Sequence, residues 1–300
     1  MWGAIWGGGG GGGVPEMRDF AFAIYFALGF VVLRFLLNVF IFQRLALWLL
    51  GGGSTLLKID DVKRAKVVKS SESMWKLTYY LLVQLWVLAI TYHEPWSRDL
   101  KQYFRGWPKQ DLKFSVKLFY MCQCGFYSYS IAALLTWETR RKDFSIMMSH
   151  HIVTTVLIGY SYFSGFFRIG CIVLALHDAC DVFLEAAKVF KYSEREMGAS
   201  VCFGLFALSW VLLRLIFFPF WVIKASSFYS IVDLSASEHF TFLYYTFNTM
   251  LITLLVFHIY WWVLICSMIM RQMKNRGKVG EDIRSVVPQG PVICGAMGQA

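Results

Sequence analysis

An adjacent pair of histidines, His150 and His151, lies within an apolar stretch of this 300-residue sequence, and a carboxylate-bearing run follows in the next apolar stretch. That run, HDACD, contains Asp178 and ends at Asp181. An imidazole beside a carboxylate suits general base catalysis, because the carboxylate fixes the imidazole tautomer and stabilises its charged form. We therefore predict that His150, His151, Asp178 and Asp181 are catalytic.

The acidic residues of the second run share one face of a predicted helix. Asp178, Asp181 and Glu185 are spaced i, i+3, i+7, and His177 joins that face through its i+4 relation to Asp181. An ionised Asp near the centre of a membrane helix costs about 2.5 to 3.5 kcal/mol on insertion scales, so this cluster must face protein, water or substrate. We assign His177 and Glu185 to substrate binding. The alternative is that the acids pair with the histidines or with Arg214 only to make helix packing specific.

Metal chemistry and serine chemistry fit these residues less well. A di-iron site needs many histidines in closely spaced boxes, whereas His93, His239 and His258 are scattered through other segments. A zinc hydrolase built on one of the paired histidines and the two aspartates stays open, but adjacent helical residues point about 100° apart and rarely ligate one ion. The sequence has no GxSxG elbow for a serine nucleophile. We predict that no metal is bound.

The composition is that of a membrane protein. Hydrophobic residues make up 57% of the chain and charged residues 16%, against roughly 25% charged in a typical soluble domain. The net charge of +10 comes from basic residues that flank apolar runs. Membrane topology explains that placement better than binding to a nucleic acid does, so we expect no nucleic-acid partner.

Apolar stretches of about 20 residues predict the helices that must position the histidines and acids. The predicted spans are 19–42, 75–94, 114–136, 144–164, 168–190, 200–223 and 241–270. We therefore predict an all-α integral membrane protein with about seven transmembrane helices, the last six forming a bundle around a lipid cavity. The segments outside this bundle are a Gly-rich disordered N-terminus (1–18), an N-terminal transmembrane anchor (19–50), a basic cytosolic loop (51–68) and a disordered cytosolic tail (276–300).

The orientation follows from the basic residues of alternate loops. The side that holds loop 51–74 and the C-terminal tail carries roughly twice as many Lys and Arg residues as the opposite side, which predicts that it is cytosolic. The N-terminus is then lumenal and the C-terminus cytosolic. This orientation places the histidine pair near the cytosolic end of span four, at a depth similar to that of Asp178 and Asp181.

Three motifs resemble a known family. The stretch WETRRKDF from Trp137 to Phe144, the histidine pair and the HDACD run are similar to the longevity-assurance motif of ceramide synthases, within the wider TLC family. The likeness extends over 69–275, which we assign as the TLC catalytic domain. The chain lacks a homeobox-like insertion between its first two spans. It therefore resembles the plant members that are linked to resistance against sphinganine-analogue mycotoxins.

The resemblance implies a multi-pass enzyme of the endoplasmic reticulum that transfers a fatty acyl group from acyl-coenzyme A to the amine of a sphingoid base. The bilayer, acyl-coenzyme A and the sphingoid base are then its partners, acyl-coenzyme A is a co-substrate, and no cofactor is expected. A homo- or heterodimer is compatible with this reading. Arg140, Arg141 and Lys142, beside span four, are predicted to contact the phosphates of the coenzyme. A protein that senses or transports lipids without chemistry is the rival interpretation.

Two mechanisms stay open for the implied reaction. His150 or His151 removes a proton from the attacking amine while Asp178 or Asp181 orients the imidazole ring. Alternatively, the imidazole takes the acyl group first and then passes it to the amine.

Overall fold

Seven long helices make up the computed structural model, which describes residues 13–51, 60–92, 94–138, 141–230 and 240–274. Helices are expected because a chain in lipid must satisfy its backbone hydrogen bonds internally, and the structure confirms the predicted all-α architecture. The helices are α1 (Met17–Leu49), α2 (Asp61–Tyr92), α3 (Phe114–Thr136), α4 (Phe144–Phe163), α5 (Phe167–Tyr192), α6 (Glu196–Phe228) and α7 (Phe240–Lys274).

Five of these helices are long and apolar enough to cross a membrane: α1, α2, α3, α6 and α7. The two others, α4 and α5, have 20 and 26 residues and carry the histidine pair and the acidic run. Their polar side chains lower their hydropathy, whereas their length is sufficient for a span. All seven lie where the sequence predicts a span, so the count of about seven agrees with the structure.

The second helix differs from the prediction. It begins at Asp61, so residues 61–68 of the stretch expected to be a basic loop (51–68) are helical. The reason is a periodic buried face: Val67, Ser70, Ser71 and Met74 are spaced i, i+3, i+4, i+7 and are all buried against neighbouring helices.

The start of the first helix is also more ordered than predicted. Gly13 forms an isolated β-bridge with Leu112, and the carboxylate of Asp19 accepts hydrogen bonds from Lys117 at 3.0 Å and from Tyr162 at 2.6 Å. The described end of the Gly-rich segment is therefore structured, because these contacts hold it to the bundle. Residues 1–12 and the tail 276–300, whose disorder is predicted, lie outside the described residues.

Six helices pack in a ring. Each helix contacts the next in the order α2, α3, α4, α7, α6, α5 and back to α2. Helix α1 lies outside the ring, packed mainly against α3. The closest approach is at Gly125, where an added Cβ would lie 2.6 Å from the carbonyl oxygen of Ala23. A small residue at this position lets the two backbones approach, as is typical of membrane helix pairs.

The sixth helix changes its winding in the middle. Residues Trp210–Ile223 form a wider π-helix, and Pro219, which has no backbone N–H to donate, lies within this segment. π-Helical segments are frequently found at functional sites. Here the segment carries Trp210 and Arg214, which both line the cavity described next.

Candidate active site

A cavity of about 950 Å³ lies inside the helix ring. All six ring helices line it, whereas the described part of α1 contributes no lining residue. It reaches the protein surface beside Asp61 and the exposed Val62, at the end of the bundle where α2 begins. The predicted bundle of the last six helices around a cavity therefore agrees with the structure.

The two adjacent histidines both line this cavity but face different helices. The ring of His150 packs against Trp261 of α7, with centroids 5.1 Å apart, and the ring of His151 packs against Tyr127 of α3, 5.6 Å away. Both Nδ1 atoms are buried and have no hydrogen-bond partner in the described part of the chain. Two imidazoles whose Nδ1 atoms lack a partner among the described residues are thus presented to a mainly apolar space that opens at one end.

Asp181 also lines the cavity, but its partner is not an imidazole. One Nη of Arg214 donates to the Asp181 carboxylate at 3.0 Å and to the carbonyl of His177 at 2.8 Å. The guanidinium carbon lies 4.2 Å from the ring centroid of Trp210. Asp181 therefore neutralises a buried arginine, which is the structural alternative that the sequence left open.

Asp178 does not line the cavity. Its side chain is fully buried, and its Oδ2 accepts a hydrogen bond of 2.5 Å from Gln123 of α3. The amide oxygen of Gln123 in turn accepts a 3.0 Å bond from the hydroxyl of Tyr79. The predicted pairing of Asp178 or Asp181 with His150 or His151 is therefore absent from the described residues, because each carboxylate is engaged by a partner on another helix.

His177 also points away from the main cavity. Its Nδ1 lies 2.6 Å from the carbonyl oxygen of Val173, and its Nε2 lies 2.8 Å from Nε2 of His258 on α7. It lines a separate pocket of about 20 Å³. The prediction that His177 binds substrate alongside the paired histidines thus disagrees with its position. His258, which the sequence analysis set aside as scattered, is its partner.

The open end of the cavity is rich in cations. The basic residues that line it there are Lys66, Lys69, Arg141, Lys188 and Lys191. Lys142 is exposed and lies outside the cavity lining, and Arg140 falls outside the described residues. Glu185 lines the cavity, with Lys188 Nζ 2.5 Å from its carboxylate.

Carboxylates pair with several of these cations. Lys66 donates to Glu194 at 2.6 Å, and this ammonium holds the pKa of the Glu194 carboxyl below its usual value. Lys191 lies 3.3 Å from Glu196. Lys69 has no carboxylate partner among the described residues. This open end, called the mouth of the cavity below, therefore presents positive charge that a ligand could neutralise.

A buried ion cluster links the cavity wall to the first helix. Glu138, in the WETRRKDF stretch, lies 2.8 Å from Lys76 of α2 and 3.4 Å from Arg34 of α1. Lys76 also pairs with Glu72 at 3.2 Å, and Arg34 donates to the hydroxyl of Tyr129 at 2.8 Å. Lys76 and Glu138 line the cavity. This cluster is not evident from the sequence, because its members come from three helices and from the segment that follows α3.

No group of three or more His, Cys, Asp and Glu side chains is arranged to hold a metal ion within residues 13–51, 60–92, 94–138, 141–230 and 240–274. The described cysteines are all free thiols. Cys122 and Cys124, which the sequence places in a membrane span, are buried in α3.

Comparison with known proteins agrees with this architecture. Residues 69–267 match the family described as TLC domain. The chain is 63% identical to "Ceramide synthase LOH2" of Arabidopsis thaliana over 273 residues, covering 90% of this chain and 92% of the relative. It is 62% identical over 273 residues to "ASC1-like protein 3" of Oryza sativa subsp. japonica, with 90% of this chain and 96% of that protein covered.

A third relative is named for disease resistance. "Alternaria stem canker resistance protein 1" of Solanum lycopersicum is 42% identical over 280 residues, covering 90% of this chain and 91% of that protein. The family match spans the six-helix ring and both histidine-bearing motifs. The chain therefore belongs to the TLC-domain family and, within it, groups with the plant ceramide synthases.

Proposed function

We propose that this chain is a ceramide synthase that transfers a fatty acyl group from acyl-coenzyme A to the amine of a sphingoid base. The observation that carries the proposal is the pair His150 and His151, which lines an apolar cavity inside a fold shared with relatives named ceramide synthases. The volume of about 950 Å³ suits an acyl chain and a sphingoid tail. Both substrates are amphiphiles, so their tails need such a cavity while their reacting groups need a polar wall.

The reaction requires a base near the thioester. The amine nitrogen attacks the thioester carbonyl, a C–N bond forms, the C–S bond breaks, and coenzyme A leaves as the thiolate. His150 or His151 accepts the proton that the amine loses and returns it to the thiolate. In the covalent route, an imidazole nitrogen displaces the thiolate first, and the amine then displaces the imidazole.

The acids have different roles in this proposal from those that the sequence predicts. Asp181 keeps Arg214 neutralised in the cavity wall, and Asp178 joins α5 to α3 through Gln123. Neither carboxylate bonds an imidazole of the pair, so both act by holding the helices that carry the site.

The cationic mouth is proposed to bind the phosphates of coenzyme A. Lys69 and Arg141 line it, and phosphates favour arginine and lysine donors. Because acyl-coenzyme A is cytosolic, the mouth faces the cytosol in this proposal. The protein then sits in the endoplasmic reticulum membrane with a lumenal N-terminus and a cytosolic C-terminus. Likeness to a stem canker resistance protein supports a further role in resistance to sphinganine-analogue mycotoxins.

The test is N-acylation of sphinganine by membranes that express the chain, with acyl-coenzyme A of several chain lengths. His150→Ala and His151→Ala are compared with wild type at matched expression, and Cys202→Ala, outside the cavity lining, is the control. Loss of the reacting base should reduce turnover by about 10²- to 10⁴-fold. Product formation that survives loss of both histidines would contradict the assigned base.

Two further measurements separate the alternatives. Mass spectrometry of the protein after incubation with acyl-coenzyme A alone should detect an acyl adduct on His150 or His151 if the covalent route operates, and only unmodified protein if it does not. A well-folded wild type that binds sphinganine or acyl-coenzyme A but forms no ceramide would instead indicate a lipid-sensing or lipid-transport protein.

A further inference from the structure

The orientation of the His150 ring has to come from a group other than the two aspartates. Asp178 and Asp181 are engaged by Gln123 and Arg214, and the Nδ1 of His150 has no hydrogen-bond partner among the described residues. Aromatic side chains of α7 surround the ring instead. Phe257 and Trp261 both pack against it at nearly right angles, with interplanar angles of 88° and 86°.

Trp261 is itself held by a polar contact at the start of α4. Its indole Nε1 donates to Oδ2 of Asp143 at 3.1 Å, and both side chains are buried. Asp143 directly precedes α4, and its carboxylate makes no capping bond to the first turn of that helix. The carboxylate thus fixes an indole on another helix.

Asp143, Trp261 and His150 are linked by two contacts, so that Trp261 of α7 bridges Asp143 and His150. Asp143 and His150 are seven residues apart, so they share one face of α4, separated by about 10.5 Å along the helix axis. Trp261 spans this interval, with its N–H on Asp143 and its ring against His150. The Trp261 ring also packs against Trp210 of α6, with centroids 6.3 Å apart. Its indole N–H, however, is bonded to Asp143 immediately before α4. The carboxylate therefore helps to fix the indole, and the indole limits how the imidazole can rotate.

We propose that Trp261, anchored by Asp143, is a positioning residue that orients the imidazole of His150 for acyl transfer. This inference rests on the proposed function. It adds Trp261 of α7 and Asp143 of the WETRRKDF stretch to the residues of the active site. An indole N–H bonded to a carboxylate gives a fixed ring position, which an apolar side chain of similar volume lacks.

The test is a double-mutant cycle on acyl transfer with Trp261→Phe, Asp143→Ala and the pair combined. Trp261→Phe keeps an aromatic ring but loses the N–H, and Asp143→Ala loses the acceptor. Each single variant should reduce kcat about tenfold, with the KM for acyl-coenzyme A within about twofold of wild type. The double variant should be no slower than the slower single variant, because both changes break the same contact.

Two variants distinguish positioning from general packing. Asp143→Asn retains an acceptor oxygen for the indole and should restore kcat to within about twofold of wild type. Trp262→Phe, the neighbouring and half-buried tryptophan outside the cavity lining, should leave kcat unchanged. Effects of Trp261→Phe and Asp143→Ala that multiply in the double variant, or an Asp143→Asn variant as slow as Asp143→Ala, would overturn the proposal.

Chemical labelling of His150, which needs no substrate, tests this inference separately from the proposed function. Diethyl pyrocarbonate acylates accessible imidazole nitrogens, and peptide mass spectrometry reports its rate at His150. Trp261→Phe and Asp143→Ala should change that rate at least about threefold, whereas Trp262→Phe should not. An inactive wild type would refute the ceramide synthase assignment alone, and an unchanged labelling rate in both variants would refute the positioning role alone.

Discussion

His177 on α5 and His258 on α7 are joined through their Nε2 atoms, which lie 2.8 Å apart in the buried interior. Because His177 Nδ1 lies 2.6 Å from the carbonyl of Val173, that nitrogen must carry a proton. With both rings neutral, His177 Nε2 is then the acceptor and His258 Nε2 is the donor. The two imidazoles therefore hold each other in fixed tautomers, and a donor is required at position 258.

We expect His258→Gln to keep most of the stability and His258→Phe to lose it. The glutamine amide can donate to His177, whereas phenylalanine leaves a buried nitrogen without a partner, at a cost of about 1–3 kcal/mol. Thermal unfolding of the detergent-solubilised protein measures the difference. Equal stability of the two variants would contradict the donor role of His258.

Loss of Asp181 should affect folding before it affects chemistry. Asp181→Ala leaves Arg214, whose side chain is 3% exposed, as an unpaired buried charge, which typically costs about 3–5 kcal/mol. Asp181→Ala combined with Arg214→Met removes both charges and should recover most of that loss. Protein yield and thermal unfolding measure the loss of stability in the single variant and its recovery in the double variant. An Asp181→Ala protein that is as stable as wild type but inactive would indicate a direct role in the reaction.

Lys69 should contribute to binding of acyl-coenzyme A without affecting turnover. It lines the mouth of the cavity and has no carboxylate partner in the described part of the chain. Lys69→Gln is expected to raise the KM for acyl-coenzyme A about threefold, with less effect at high salt. Lys63→Gln, an exposed lysine on the same helix outside the cavity lining, is the matched control and should leave KM unchanged. An equal effect of both changes would indicate only the general charge of this surface.

The contact between α1 and α3 should be sensitive to a single methyl group. Gly125→Ala places a Cβ 2.6 Å from the Ala23 carbonyl oxygen, so the helices must separate, and we expect a loss of about 1–3 kcal/mol. Gly204→Ala is the control, since no atom outside its own helix lies within 4 Å of the added Cβ. Because alanine has a better helix propensity than glycine, Gly204→Ala should leave the free energy of unfolding unchanged or raise it by up to about 1 kcal/mol. Thermal unfolding compares the two variants, and equal behaviour would argue against close packing at Gly125.

The positions of the helices could be predicted from the sequence because a membrane span needs only length and apolar composition. The predicted span 114–136 coincides with α3, and the predictions for α4 and α5 end within two residues of the structure. The prediction was least accurate where a helix leaves the apolar region. Helix α2 continues from its span down to Asp61 because neighbouring helices bury one face of that polar segment.

The partners of the site residues could not be read from the sequence. Depth along the helices predicted that His150 and His151 lie near Asp178 and Asp181; both histidines and Asp181 line one cavity, whereas Asp178 does not. Depth does not specify the direction of a side chain about its helix axis, however. Gln123, Trp261 and His258 each lie at least 55 residues from the site residue that they contact or hold, so their role depends on packing between distant helices. A polar residue within an otherwise apolar span was the available signal for Gln123 and His258.

The ion pair between Arg34 and Glu138 shows that the folded unit extends beyond the residues matched by the family model. The family match covers 69–267, which includes Glu138 and Lys76 but omits Arg34. A fragment cut at residue 69 would keep Glu138 in the cavity wall without its arginine, and it would also lose the aspartate that pairs with Lys117. The smallest unit that can be excised, swapped into a chimera or expressed alone therefore has to include the first helix.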